Sequence, residues 1–148
     1  MRYCYSSTIQ ANIVTNGTYS ICLQSSTNSD VVNNAIITNE VYGIRLLYSE
    51  SNNVRNNTIA KNGYGIVLDH SGGNSLRHNN MSSNDYNFGV SGRTLSDYVQ
   101  DIDGSNTVDE KPIYYWVNQH DKLVPANAGY VAVVNSTNIT IKNLNLAS

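Results

Sequence analysis

Residues 42–62 read YGIRLLYSESNNVRNNTIAKN, and the same frame recurs upstream and downstream of this stretch. The recurrence is marked by tyrosines and asparagines at matching positions: Tyr19, Tyr42, Tyr64 and Tyr86, with Asn16, Asn39, Asn62 and Asn84. Successive members of each series are separated by 22 or 23 residues, so both series share one period. A period in this range is typical of a stacked solenoid.

Each repeat consists of short stretches in which apolar and polar residues alternate, separated by Asn, Ser and Gly. Ile44 and Leu46 alternate around Arg45, for example, and Val54 and Ile59 follow in two further short stretches. This pattern indicates strands joined by turns, because no stretch carries the apolar spacing of an amphipathic helix. We therefore predict an all-β fold, a single-stranded right-handed parallel β-helix of about six coils.

Stacking the repeats predicts four inward columns of apolar side chains. The columns are Ile21, Ile44, Ile66 and Phe88; Leu23, Leu46, Leu68 and Val90; Val31, Val54 and Leu76; and Ile36, Ile59 and Met81. A column of asparagines, Asn34, Asn57 and Asn79, is predicted at a corner between strands. There Asn tolerates the left-handed backbone conformation and can hydrogen-bond along the stack.

The repeat divides the chain into three parts within a single domain. It is regular over residues 1–90, gives way to an irregular, loop-rich insertion over 91–127, and resumes in a final coil over 128–148. With 148 residues, of which 40% are apolar, the chain can bury a core. Residues 7–12 already read as the second half of a coil, so we expect a fragment of a longer protein. Its exposed coil ends would favour self-association.

The composition limits the partners that the chain can have. Only 14% of the residues are charged and the net charge is −2, which argues against nucleic acid as a partner. No apolar run approaches the roughly 20 residues of a membrane span. Abundant Asn, Ser, Thr and Tyr are common in extracellular β proteins, so we expect an extracellular or cell-surface location.

Several motifs resemble one known family. The repeat Tyr-Gly-Ile-x-Leu, the segment KPIYYWVN at 111–118, and the segments GYVA at 129–132 and NITIKNLN at 138–145 resemble the NosD-type right-handed parallel β-helix proteins. These belong to the carbohydrate-binding and sugar-hydrolase (CASH) repeat group, and many such modules occur in archaeal cell-surface proteins. The resemblance implies the fold over nearly the whole chain. It implies no single activity, because such repeats occur in lyases, hydrolases, epimerases, surface layers and transport accessory proteins.

The same resemblance raises the question of copper, because NosD is linked to copper-site maturation. Copper would need clustered Met, His or Cys side chains. The chain has two methionines, Met1 and Met81, and its three histidines, His70, His78 and His120, are separated along the sequence. The sequence therefore offers no cluster of copper ligands.

Two sequence features bear on covalent modification. Cys4 and Cys22 do not share a repeat column, which leaves open two free thiols or a disulfide that pins the N-terminal segment. Five Asn-x-Ser/Thr sequons would allow glycosylation outside the cytoplasm, although an Asn- and Thr-rich solenoid generates such sequons on its own. The sequons begin at Asn16, Asn56, Asn80, Asn135 and Asn138.

Acidic residues cluster in and around the insertion, at Asp97, Asp101, Asp103, Asp109, Glu110 and Asp121. Among them, Asp101, Asp103 and Asn106 have the oxygen-rich spacing of part of a calcium loop, without the distant bidentate Glu of a full site. An Asx-type turn explains the same spacing. Ca²⁺ is thus the one cofactor that the sequence suggests. A sugar-cleaving enzyme would need two converging carboxylates, and no two acids of the regular coils share a column in adjacent coils.

Two groups of side chains are candidates for carbohydrate binding. Arg55 and Arg77 share a column and could bind an anionic sugar, or could lie over the sheet and satisfy neighbouring carbonyl groups. Tyr114 and Trp116 alternate with the inward-facing residues of their strand, so both are predicted outside, where they could stack on a sugar ring. The alternative is that the insertion folds back over them.

These patterns favour a non-enzymatic structural or binding module of an extracellular or cell-surface protein. Its expected partners are a polysaccharide or a neighbouring surface protein. Two alternatives stay open. One is a polysaccharide lyase, hydrolase or epimerase that uses the acids of the insertion, and the other is a NosD-like accessory protein in metal handling. The tyrosine series adds a further ambiguity, since stacked tyrosines serve either sugar binding or the fold.

Overall fold

The chain folds as a parallel β-solenoid, as the repeat predicts, and the computed structural model describes residues 1–146. Residues 147 and 148 of the predicted final coil lie outside the described residues. Within the described part, the one helix is four residues long, and no helix has the length and apolar character that a membrane span requires.

Four coils contain three strands each, and a more irregular region follows. The coils are β1 (Thr8–Gln10), β2 (Ile13–Thr15) and β3 (Tyr19–Gln24); β4 (Asp30–Val32), β5 (Ala35–Ile37) and β6 (Tyr42–Leu47); β7 (Asn53–Arg55), β8 (Thr58–Ala60) and β9 (Tyr64–Asp69); β10 (Ser75–Arg77), β11 (Asn80–Ser82) and β12 (Tyr86–Ser91). The remaining elements are α1 (Leu95–Tyr98), β13 (Asp101–Ile102), β14 (Thr107–Val108), β15 (Lys111–Val117), β16 (His120–Leu123), β17 (Tyr130–Val134) and β18 (Thr137–Thr140).

Equivalent strands of successive coils pair to form three sheets. The first sheet has the order β1-β4-β7-β10-β13, the second β2-β5-β8-β11-β14-β15-β17, and the third β3-β6-β9-β12. Strands β16 and β18 form a separate small sheet. Neighbouring strands are parallel except β14 and β15, which pair antiparallel. The solenoid axis therefore runs perpendicular to the strands through the apolar interior.

The four predicted apolar columns are confirmed by the strand register. Ile21, Ile44, Ile66 and Phe88 align across the third sheet, as do Leu23, Leu46, Leu68 and Val90. The columns predicted from Val31 and Ile36 align in the first and second sheets. Each gains two further members, Ile9 and Ile102 in the first sheet and Val14 and Val108 in the second. Every predicted member is buried except Val90, which is half-buried.

The predicted asparagine column hydrogen-bonds along the stack, but its members are not the left-handed residues. Positive φ angles of 53° to 56° belong to the preceding residues Asn33, Asn56 and His78. The left-handed residue turns the chain at the corner, so that the following Asn side chain points inward and reaches the next coil. The prediction of the corner was right, and the assignment of the turn to the ladder residue was off by one position.

Asn57 shows how completely the ladder satisfies buried polar groups. Its side-chain oxygen accepts hydrogen bonds from the backbone and side-chain nitrogens of Asn34, at 2.9 and 3.0 Å. Its side-chain nitrogen donates to the oxygen of Asn79 and to the backbone oxygen of Val31, both at 2.9 Å. Asn57 is only 1% exposed, so each of these groups depends on the ladder for a partner.

Two further ladders occupy the other corners. Asn39, Asn62 and Asn84 form the second, which ends on the side chain of Asn87. The third corner, which sequence reasoning missed, carries a serine series and an amide series: Ser26, Ser49 and Ser71, with Asn52, Asn74 and Gln100. The serines recur with the common period of 22 or 23 residues, so the period itself was the signal that identified them.

The region predicted as an irregular insertion contains part of a fifth coil. After α1, strands β13 and β14 extend the first and second sheets, while the third sheet ends at β12. The chain then reverses, and β15 pairs antiparallel with β14 through only two residue pairs. The described residues thus contain four complete coils and two strands of a fifth, where the sequence predicts about six coils.

The resumed repeat stacks on the insertion itself. Strand β17 pairs in parallel with β15, and β18 pairs in parallel with β16. The predicted final coil is therefore paired with residues of the predicted insertion rather than with the fourth coil. This arrangement places the outer face of β15 beside the outer face of β17.

Candidate functional site

Strand β15 carries the aromatic pair that the sequence predicts as a ligand surface. Ile113 and Tyr115 are buried, whereas Tyr114 and Trp116 lie on the other side of the strand and are half-buried. The two outer rings meet edge to face, with their centroids 6.1 Å apart and an interplanar angle of 75°. Tyr114 and Trp116 therefore form one continuous aromatic patch.

Strand pairing holds this patch rigidly. β15 pairs with β17 over five residues, and the register sets Val131 beside Tyr114 and Val133 beside Trp116. Val133 is 37% exposed, so an apolar strip continues from the aromatic rings across the sheet. A side chain fixed on a paired strand loses little conformational entropy when it binds a ligand.

The segment that follows β15, which includes β16, contacts both members of the aromatic pair. The Tyr114 hydroxyl donates to Oδ1 of Asn127 at 3.1 Å. The Lys122 ammonium lies 5.5 Å from the centroid of the Trp116 ring and donates to Oε1 of Gln119 at 2.6 Å. The rings are therefore neither fully exposed nor covered by the insertion, because the following segment contacts them and yet leaves them half-exposed. We call Tyr114, Trp116, Gln119, Lys122 and Asn127 the Trp116 surface.

Asp121, the carboxylate next to Lys122 in the chain, is engaged elsewhere. Asn138 donates to one of its oxygens at 2.5 Å, and Nδ1 of His120 lies 3.0 Å from the other. The hydrogen bond from Asn138, and then that from His120, lower the pKa of Asp121 below the ordinary carboxyl value. This acid therefore stays ionised and is directed away from Lys122.

The stacked arginines do not form a pair of free cations. Arg55 and Arg77 align in the first sheet, as predicted. However, Arg77 is held by two carboxylates, with NH2 2.6 Å from Asp101 and Nε 3.1 Å from Asp103. Arg55 is exposed and makes no ion pair among residues 1–146. The first sheet thus presents one available guanidinium, that of Arg55, and this sheet does not contain the Trp116 surface.

The structure does not bring Asp101, Asp103 and Asn106 together as a calcium site. The two aspartates converge on the guanidinium of Arg77, whose positive charge would repel Ca²⁺. Asn106 is fully buried and belongs to the first asparagine ladder, where its oxygen accepts from the side chain of Asn79 at 2.9 Å. Among the described residues, no three His, Cys, Asp or Glu side chains are grouped to hold a metal ion.

Asp69 is the centre of a polar cluster that sequence reasoning did not single out. It forms an ion pair with Arg45 at 2.5 Å, lies 2.8 Å from Nδ1 of His70, and accepts a hydrogen bond from Ser91 at 3.0 Å. Burial opposes its ionisation, but these hydrogen bonds outweigh burial, so its pKa lies below the ordinary carboxyl value. Arg45 and Asp69 are diagonal neighbours on adjacent strands, a relation that a search along single columns overlooks.

Replacing Asp69 by Asn is expected to destabilise the protein in a pH-dependent way. Because the folded-state pKa is depressed, the stabilisation is present above the unfolded-state value of about 4 and is lost as the pH falls through the folded-state pKa. Urea unfolding at pH 7 and at pH 3 should show a difference from wild type that shrinks towards the acid side. The exposed Asp85→Asn is the control, and an equal penalty for Asp69→Asn at both pH values would contradict the prediction.

The tyrosine series is arranged as a structural ladder. Tyr19, Tyr42, Tyr64 and Tyr86 lie along one edge of the third sheet, with successive ring centroids 5.8, 5.2 and 5.0 Å apart. Tyr19 stacks on Tyr42 and Tyr64 stacks on Tyr86, with interplanar angles of 23° and 17°, whereas the rings of Tyr42 and Tyr64 are tilted by 30°. Because each ring lies against a neighbour in the series, the arrangement favours the structural interpretation over sugar stacking.

Comparison with known families agrees with this architecture. A family model described as "Periplasmic copper-binding protein (NosD)" matches residues 1–108. The chain belongs to the NosD family. The resemblance that the repeat motifs predict is thereby confirmed, and the matched region includes all four complete coils of this NosD-family chain.

The donor side chains of this NosD-family chain do not fit a copper site. Met81 is fully buried in the apolar core, and His70 and His120 lie against the carboxylates of their neighbours. Cys4 and Cys22 are free thiols, and among the described residues neither belongs to a group of three His, Cys, Asp or Glu side chains. In residues 1–146, no three His, Cys, Asp or Glu side chains group around a common position. Copper chemistry is therefore not assigned to these residues.

This NosD-family chain was also compared with curated proteins and with solved structures. A search of curated proteins gives no match. Among solved structures, the crystal structure of the periplasmic alginate epimerase AlgG is similar, with a TM-score of 0.48 and 16% sequence identity. The alignment covers 94% of this chain and 36% of the epimerase chain, so the chain spans about a third of that protein.

Proposed function

We propose that this chain is a non-enzymatic binding module that contacts polysaccharide through the Trp116 surface. The observation that carries the proposal is the aromatic pair Tyr114 and Trp116, half-exposed on a rigid outer strand and flanked by amide and ammonium groups. Aromatic rings pack against the apolar faces of sugars, and neighbouring polar groups bind the hydroxyl groups. The Trp116 surface offers both in one place.

Amide groups next to the rings supply the polar part of the surface. Asn127 already binds the Tyr114 hydroxyl, and the side-chain nitrogen of Gln119 donates to the backbone oxygen of Val117 at 2.9 Å. These contacts fix the positions of the two amides beside the rings. A sugar hydroxyl that meets them would need little rearrangement of the protein.

The engagement of the acids supports binding over catalysis. Asp97 accepts hydrogen bonds from the backbone of Arg93 and Thr94 at 2.8 and 2.9 Å. Asp109 accepts from the backbone of Ser83 at 2.9 Å and from the side chain of Asn87 at 2.8 Å. Together with the carboxylates that hold Arg77, these acids serve the backbone and the ladders. A lyase, hydrolase or epimerase needs acids aimed at a substrate.

We place the module outside the cytoplasm, at the cell surface or in the periplasm. The family model describes NosD proteins as periplasmic. This chain has a low content of charged residues, which is common in extracellular β proteins. A polysaccharide ligand suits that location, since cell-wall and surface polymers are found there. A neighbouring surface protein is the other partner that such a module would meet.

Replacing both aromatic residues by Ala should abolish this binding. On a glycan array, Tyr114→Ala/Trp116→Ala is expected to lower retention about tenfold or more on every glycan that the wild type binds, since a tenfold loss corresponds to about 1.4 kcal/mol. The matched control is Tyr3→Ala/Tyr5→Ala, which removes two exposed tyrosines at the opposite end of the solenoid. The control should keep wild-type retention.

The same array decides between binding and catalysis. Each glycan is also checked for cleavage, with and without Ca²⁺. The proposal is contradicted if Tyr114→Ala/Trp116→Ala stays bound to the glycans as strongly as the wild type. Cleavage of any glycan would favour the enzymatic alternative and direct attention to the acids between residues 97 and 121.

A further inference from the structure

The Trp116 surface contains a positive charge that no carboxylate of the described chain neutralises. Lys122 lies on the exposed strand β16. The ion pairs of residues 1–146 involve Arg45, Arg77, His70 and His120, and none involves this lysine. Its only hydrogen bond among these residues is to the neutral amide of Gln119. The ammonium is therefore available to an anion from outside.

From this charge and its place beside the indole ring, we infer that the ligand is an acidic polysaccharide whose anionic group binds Lys122. The inference rests on the proposed function of the Trp116 surface and names the chemical class of its ligand. A neutral sugar would use the aromatic pair and the neighbouring amides alone. An acidic sugar would use the pair and the ammonium together.

The backbone around Lys122 separates it from the nearest acid. Asp121 has a left-handed backbone, with φ of 53°, and its carboxylate is bound by Asn138 and His120. The ammonium of Lys122 instead turns towards Trp116, 5.5 Å from the ring centroid. Opposite charges that follow each other in sequence are thus directed to different partners.

The position of the ammonium suits a sugar stacked on the same ring. The Lys122 ammonium lies over the Trp116 ring and donates to Gln119, so a sugar that packs against this residue places its substituents beside both side chains. An ammonium–carboxylate contact in this setting is a charge-assisted hydrogen bond, which is stronger than one between neutral groups. Lys122 would thus add both affinity and a preference for acidic polymers.

The surface does not discriminate by shape between carboxylated and sulfated sugars. A lysine acts as a compact point charge, whereas an arginine provides the planar fork that matches a carboxylate at two points. The available guanidinium of Arg55 lies in the first sheet and not on the Trp116 surface. The shared chemistry is therefore a sugar with an anionic group, and experiment must distinguish the two kinds.

Binding of three defined polymers tests the inference. Sodium polygalacturonate, dextran sulfate and neutral dextran are titrated against wild type, Lys122→Gln, Lys61→Gln and Tyr114→Ala/Trp116→Ala, each at low and high salt. Wild type is expected to bind at least one acidic polymer about tenfold tighter than dextran at low salt, with the preference reduced at high salt. Lys122→Gln should lose the preference while its circular dichroism spectrum stays unchanged. Lys61, exposed at a corner of the regular coils, is the matched control and should behave as wild type.

The outcomes separate this inference from the proposed function. If the aromatic double variant loses binding while Lys122→Gln keeps the full acidic preference, the inference fails and the proposed function survives. If the aromatic double variant binds all three polymers as wild type does, the proposed function fails and the inference fails with it. A wild-type preference for neutral dextran would overturn the inference alone.

Discussion

Replacing Asn57 by Ala is expected to lower the free energy of unfolding by about 3–6 kcal/mol, because three buried groups each lose a hydrogen bond, at about 1–3 kcal/mol for each group left without a partner, and the Asn34 side-chain nitrogen keeps a second one, to Ile9. The groups are the backbone and side-chain nitrogens of Asn34 and the backbone oxygen of Val31. Asn34, Asn57 and Asn79 are each at most 2% exposed, so the ladder is shielded from solvent. Urea unfolding followed by circular dichroism measures the loss.

The adjacent residue provides a control at the same corner. Asn56 is exposed and has a left-handed backbone with φ of 56°, a conformation that Gly adopts without strain. Asn56→Gly is therefore expected to change the free energy of unfolding by no more than about 1 kcal/mol. If the two substitutions cost the same, the ladder would not be the source of stability that its geometry indicates.

Replacing Tyr115 by Ala is expected to cost about 3–5 kcal/mol, in the range for removing a buried aromatic side chain. Tyr115 is only 5% exposed, and its ring meets Phe88 edge to face at a centroid distance of 6.5 Å. Its hydroxyl donates to the backbone oxygen of Tyr98 at 2.6 Å, which ties β15 to the end of α1. Burial, with a smaller effect of Tyr130 and Tyr98, raises the pKa of Tyr115, so the hydroxyl stays protonated as a donor.

Comparison with the neighbouring residue separates packing from surface chemistry. Tyr115→Phe keeps the ring and should cost about 1 kcal/mol for the lost hydrogen bond. Tyr114→Ala, on the outer face, should cost less than about 1 kcal/mol while it weakens glycan retention. Thermal and urea unfolding of the three variants measure how much stability each one loses. An equal loss of stability from Tyr114→Ala and Tyr115→Ala would mean that the outer aromatic residue also belongs to the core.

The apolar columns could be predicted from the sequence because, in a stacked solenoid, the repeat period alone determines which residues align in neighbouring coils. Residues such as Ile44 and Ile66 are one period apart, and parallel pairing places them in register. The left-handed corner residues were harder to place. Period shows which residues share a corner, but a shift of one position between Asn56 and Asn57 leaves the period unchanged.

Contacts made by the insertion could not be predicted, because there the chain departs from the period. Ser75 pairs with Asp101, a separation of 26 residues instead of 22 or 23, and this longer coil brings Asp101 and Asp103 to Arg77. Similarly, Lys122 reaches Trp116 because the chain turns at Asn118, which has a φ of 55°. The alternation of β15 predicted which aromatic residues face outward, and it carried no information about what would lie over them.

The asparagine ladder gives the solenoid an electrical polarity. Every ladder oxygen faces the preceding coil, so the side-chain dipoles add head to tail, with the negative end at the first coil and the positive end at the last. In the second ladder the final amide, Asn87, donates to the carboxylate of Asp109. An anion at the positive end of aligned dipoles is stabilised in the same sense as an anion at a helix N-terminus. The acidic region after the fourth coil thus acts as an electrostatic counterpart to the stack that precedes it.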